Sequence, residues 1–173
     1  ASTLYHLGDV AGALALQREA QVGLAQRLGA AHPEALIVRA EAGMMALALG
    51  QTDAAEADLT PAIAGLASLL AADHGVLLGL RTGELRLRIA QGRLAEARGL
   101  AATLWPLQQG KYGPDSVGAA GFARTVGDAY LGAGAGADAE PWLRLGLDLS
   151  LHLQPAEEVT VDCAMALASA IVQ

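Results

Sequence analysis

Four histidines, one cysteine and a few serines and threonines are the side chains of this sequence most able to do chemistry. His32 and His74 lie 42 residues apart, and imidazole pairs are a common start of a metal site. A closed site needs further ligands at tight spacing, and only Asp73 stands near them, so their expected role is to cap helices from loops. His6 and His152 are isolated. Cys163 has no histidine near it in an apolar helical stretch, which suits a packed thiol better than a nucleophile. Ser116 and Ser150 lack a G-x-S-x-G setting. The GAGAGA run at 132–137 resembles a phosphate loop only superficially, because no Lys-Ser/Thr follows and no strand precedes it. The expectation is a chain with no catalytic site, no cofactor and no metal.

The elements that would position these residues are helices. The composition is 53% hydrophobic and 3% aromatic, with 21 glycines, and β-branched runs of alternating polarity are missing. Asp9 reads as the cap of a helix over Val10 to Leu28, closed by Gly29. Pro33 is preset for the first turn of the next helix, which runs from Glu34 to Leu49. Further helices are expected from Thr52 or Asp53 to about Ala71, up to Ile89 and Ala90, up to about Gln109, from Val117 to Leu131 and from about Ala139 to Leu153. Ala1 to Leu7 reads as a helix end stopped by Gly8, and Pro155 as the start of a last helix. GKYGPD (110–115) and AGAGAD (133–138) read as loops. Pro141 is expected in a first turn, whereas Pro61 and Pro106 fall inside helices, where a bend is expected.

One spacing orders all of this. Gly8, Gly50, Gly92 and Gly134 are each 42 residues apart; five residues after each comes Ala13, Ala55, Ala97 or Ala139, and three before each comes Tyr5, Leu47, Ile89 or Leu131. A fixed period of this size means stacked helix pairs. We therefore expect an all-α fold, a solenoid of helix pairs over residues 1–173. Because the sequence opens with half a helix and stops three residues before a glycine would be due at 176, a piece of a longer protein is expected.

Charge narrows the partners. The net charge of −7 repels phosphate backbones and anionic lipid, so direct nucleic-acid or membrane binding is not expected. No apolar run is long enough to span a bilayer. Ten arginines against the single Lys111, with abundant Ala and Gly, point to a GC-rich bacterial genome.

The glycine and alanine at each turn, with Gly43 and Gly127 seven residues before a turn glycine and Tyr130 four before, resemble the tetratricopeptide repeat (TPR). The 42-residue period and LGAAHPE (28–34) resemble the kinesin-light-chain form. Gly8, Ala13, Ala20, Leu28, Gly29, His32 and Pro33 carry the pattern in the first repeat. It continues through Ala55, Glu56, Ala62, Asp73 and His74, then Ala97, Tyr112, Gly113 and Asp115, then Ala139, Glu140 and Pro141.

The resemblance implies a right-handed superhelical solenoid of antiparallel helix pairs (TPR-like), a non-catalytic protein-interaction module in which the first helix of each pair lines a concave groove. Mapped here, the inward positions include Ile37, Ala40, Met44 and Leu47; Gly79, Thr82, Arg86 and Ile89; Gly121, Arg124, Asp128 and Leu131; and Cys163, Ala166 and Ala170. The expected site is then Ile37, Ala40, Met44, Thr82, Arg86, Arg124, Asp128 and Ala166. Arginines in the middle would clamp a carboxylate and apolar ground on either side would hold hydrophobic anchors, so the implied partner is an acidic-hydrophobic peptide or protein. Alternatively, Asp128 neutralises Arg86 or Arg124 and the face is only solvated. Two other readings stay open: a sensor domain of a bacterial transcription regulator or kinase responding to a small ligand, and a self-association module. A cytoplasmic signalling or scaffold role is expected in each case.

Overall fold

The computed structural model describes residues 9–153 and 165–170. Among the described residues the chain is helical, without strands. The helices are α1 (Val10–Leu28), α2 (Pro33–Ala48), α3 (Thr52–Ala67), α4 (Gly75–Ala90), α5 (Leu94–Tyr112), α6 (Val117–Gly132) and α7 (Gly136–Leu153), and residues 165–170 are helical too. The helix end at Ala1 to Leu7 with Tyr5, His6 and Gly8, the opening at Pro155, and Cys163 lie outside the described residues. The chain divides into two compact units, Ala1–Leu87 and Arg88–Gln173.

The turn glycines set where helices stop. Gly50, Gly92 and Gly134 have φ of 72°, 71° and 73°. A side chain in that left-handed region crowds its own backbone by about 1–2 kcal/mol, and glycine avoids the cost. One residue later the backbone N–H reaches back to close the helix. Gln51 donates to the Ala46 carbonyl at 2.9 Å, Arg93 to that of Arg88 at 2.8 Å and Ala135 to that of Tyr130 at 2.9 Å. These six-to-one bonds satisfy carbonyls that the helix end would otherwise orphan. The residue that starts each following helix then repeats one conformation, φ/ψ of −84°/70° at Asp9, −83°/68° at Gln51 and −81°/56° at Arg93.

The other ends are capped by side chains at one register position. His32 Nδ1 accepts from the Glu34 N–H and His74 Nδ1 from the Val76 N–H, both at 3.3 Å. In the next repeat, where the histidine is missing, Ser116 Oγ accepts from the Ala119 N–H at 3.1 Å. Capping is thus the observed role of both loop histidines, and among the described residues no group of three or more His, Cys, Asp or Glu could hold a metal ion.

Four local expectations change. The cap of α3 is Gln51, not Thr52 or Asp53, and its side chain makes no capping bond, because the preceding glycine turn already fixes the backbone. α3 ends at Ala67 rather than near Ala71, where Ser68 Oγ donates to the Gly65 carbonyl at 2.7 Å and the chain tightens into turns. α5 continues to Tyr112, so the GKYGPD loop is shorter than its composition suggests. α7 begins at Gly136, inside AGAGAD, because the Schellman turn at Gly134 restarts the helix in the same register as Val10, Thr52 and Leu94. Pro141 consequently sits inside α7, not in its first turn.

Packing explains the small residues. Ala13, Ala55, Ala97 and Ala139 are each 0% exposed, since the first turn of every second helix approaches its neighbours too closely for anything larger. A Cβ at Gly43 would stand 2.8 Å from Leu59 Cγ and 3.2 Å from Leu59 N. One at Gly127 would stand 2.6 Å from Leu143 Cγ and 3.1 Å from Leu143 N. In the first unit the core joins Leu14, Leu36, Leu59, Ile63, Leu66 and Leu77. In the second, Trp105 of α5 stacks on Phe122 of α6 at 6.1 Å, and Trp142 of α7 meets both edge-on at 5.9 and 5.8 Å. Offset and T-shaped pairs at these separations add about 0.5–1.5 kcal/mol each beyond area burial.

Pro61 lies inside α3 and has no N–H to give the carbonyl four residues back, that of Ala57. Arg39 of α2 supplies the missing donor: its Nη2 reaches Ala57 O at 2.8 Å while its Nε meets Asp58 at 3.4 Å. Pro61, Pro106 and Pro141 are all exposed, so each ring faces water rather than a neighbouring helix.

Two outcomes are expected in urea unfolding. Gly127→Ala should cost about 2 kcal/mol by overpacking, and combined with Leu143→Ala the loss should fall short of the sum of the two singles by more than about 1 kcal/mol. Arg39→Met should cost about 1 kcal/mol more in the natural sequence than in a Pro61→Ala background, where residue 61 regains the N–H that Ala57 O needs.

Candidate binding face

The first helices present one side to solvent, and the sequence-derived site residues fall on it unevenly. In the first unit Ala40 is 0% exposed and belongs to the core, which corrects its placement on the groove: the helix turns that position toward α3. Ile37 and Met44 are half-buried and pack against the same core. Met44 lies across Gly83 of α4, where an added Cβ would meet its sulfur and its Cε. Thr82 is half-buried and its hydroxyl donates to the Leu78 carbonyl one turn back at 2.8 Å. Arg86 is exposed and makes no ion pair among the described residues. Gly79, two turns before it, is exposed and a Cβ there would meet only open space.

In the second unit Arg124 Nε stands 3.4 Å from Asp128 one turn along α6. Pairs of this kind on a helix surface contribute about 0.3–0.5 kcal/mol. Ala166 is half-buried in the helical residues 165–170.

Two polar clusters at the turns escaped the sequence reading. In one, Arg88 is 7% exposed and donates to Gln91 Oε1 at 3.2 Å, while Arg93 forks onto both oxygens of Glu96 at 2.7 and 2.6 Å. In the other, Arg98 of α5 forks onto both oxygens of Asp138 of α7 at 2.8 Å each. The Arg98 hydrogen bonds hold the Asp138 carboxyl below the usual carboxylate range, and the same bonds raise Arg98. Tyr130 is 1% exposed, and burial followed by the nearby Asp138 charge pushes its phenol up. Its hydroxyl meets no hydrogen-bonding group among the described residues. The available signal was the period itself, because Arg88 and Tyr130, like Glu96 and Asp138, are 42 residues apart.

The Asp138 shift fixes a sign. A carboxyl whose folded value is depressed contributes stability above its unfolded value, about 3.9, and loses that contribution as pH falls through the lower folded value. Between pH 7 and 2 the unfolding free energy should drop, and Asp138→Asn should flatten the part of that drop below about pH 4. Equal slopes in the two proteins would remove Asp138 from the acid response.

No protein-family model and no curated protein matches the chain. Solved structures do. A crystal structure of a Podospora anserina kinesin light chain with nearly identical TPR-like repeats aligns with a TM-score of 0.79 at 20% identity, covering 99% of this chain and 82% of that one. Its Q17M variant aligns with the same TM-score at 21% identity, covering 99% and 81%. That likeness, with glycine turns and buried alanines repeating every 42 residues, identifies the fold as that of TPR-like repeats.

Proposed function

We propose that this chain is a non-catalytic protein-interaction module that takes a peptide segment or partner protein against the exposed side of its first helices. The observation that carries the reading is Arg86: exposed, without an ion pair among the described residues, and three residues beyond the Gly83 position against which Met44 packs. A guanidinium so placed offers a fork of donors to a carboxylate, and the half-buried Met44 and Ile37 offer an adaptable apolar neighbour. The partner is accordingly an acidic-hydrophobic segment. Arg124, one turn before the Asp128 that stands at the Arg86 register position, with Ala166 further along the chain, is the arginine of the second unit and binds more weakly, because an incoming acid competes with Asp128. TPR-like folds commonly serve as protein-interaction scaffolds, which supports the reading at the level of fold. The arginine-rich, lysine-poor composition supports a bacterial source, and a cytoplasmic signalling or scaffold role goes with the same reading.

Selection from a random peptide display library on the immobilised chain tests this. An acidic-hydrophobic consensus should emerge, vanish with Arg86→Glu and weaken less with Arg124→Glu. No enrichment, or a consensus indifferent to both substitutions, would overturn the reading.

A further inference from the structure

Gly83 is buried in the middle of α4, where glycine is a poorer helix former than alanine. What the missing side chain makes room for is one group: the Met44 thioether occupies the space that a Cβ would need, and the three nearest atoms to that position are all from Met44. Met44 is itself half-buried, so the residue keeps one side toward solvent while its sulfur fills the gap between α2 and α4. Around it the packing is apolar, with Ile37, Leu47 and Leu80 among the partly buried residues of the same core.

We propose that the Met44–Gly83 contact is an oxidation-sensitive joint that holds α4 to α2. Peroxide transfers one oxygen to the thioether: an S–O bond forms, the O–O bond of hydrogen peroxide breaks, and water leaves, giving the sulfoxide. The added oxygen is polar and brings a volume that the site under Gly83 does not have, so the sulfoxide is expelled and α4 loosens. Reduction by a methionine sulfoxide reductase restores the thioether and the contact. Met45, half-buried on α2, and Met165, exposed in the helical residues 165–170, serve as internal comparisons.

The experiment treats the folded chain with hydrogen peroxide, locates sulfoxides by peptide mass spectrometry and records Tm before treatment, after it, and after reductase. Oxidation at Met44 should accompany a fall in Tm of roughly 5 °C, reversed by the reductase. Met45→Leu and Met165→Leu should leave that fall intact, and Met44→Leu should abolish it. The proposal is overturned if Met44 stays reduced while the protein remains folded, if oxidised Met44 leaves Tm unchanged, or if the fall persists in Met44→Leu. Because the oxidised and re-reduced natural chain is its own control, the outcome does not depend on how well leucine packs under Gly83.

Discussion

Everything in this fold depends on a single backbone event repeated at a fixed interval: a glycine at φ near 72° that lets one helix stop and the next begin two residues later. The left-handed residue frees the following N–H to close the helix behind it, and the residue after it settles into a nearly invariant conformation that launches the next helix. No side-chain cap is needed at Gln51 or Arg93. Within each unit the short turn also sets how near α2 and α3, or α6 and α7, lie, and that nearness leaves no exposed surface on Ala55 and Ala139.

With that constraint in place, the rest is local compensation. Arg39 gives Ala57 O the hydrogen bond that Pro61 withholds. Ser116 replaces the histidine as a cap. Where the second unit carries larger side chains, Phe122 and two tryptophans fill its interior. At one register position the chain places in turn a buried alanine, arginine and tyrosine, Ala46, Arg88 and Tyr130; Arg88 pairs with Glu96 at 3.8 Å, while the carboxylate near Tyr130, Asp138, is held by Arg98.

Much of this was legible in the sequence because it depends on residue type at short range. Turn glycines, buried alanines and loop histidines announce themselves by spacing. What stayed hidden depends on contacts between elements or on register overruling composition. GAGAGA looks like a loop from its residues alone, yet α7 starts inside it because the turn at Gly134 copies the turns at Gly50 and Gly92. Family position puts Ala40 on the groove, but its small side chain sits fully inside the core. The Trp105, Phe122 and Trp142 cluster draws one ring from each of three helices, and no periodicity links those positions.

The glycine–leucine fit between paired helices constrains how such a chain can change length. Gly43 faces Leu59 and Gly127 faces Leu143, in each case sixteen residues further on, while the intervening copy has Leu85 and Ala101 at the same two places, with the sizes exchanged. Excising one period, residues 60–101, would leave both glycine–leucine pairs whole. Excising residues 86–127, also one period, would splice Leu85 sixteen positions ahead of Leu143 and set a leucine where Gly127 has no room even for a methyl group. Repeat number is therefore free to drift by unequal recombination only at breakpoints that keep a leucine from facing either glycine without room for it, so the repeats are equal in length without being interchangeable.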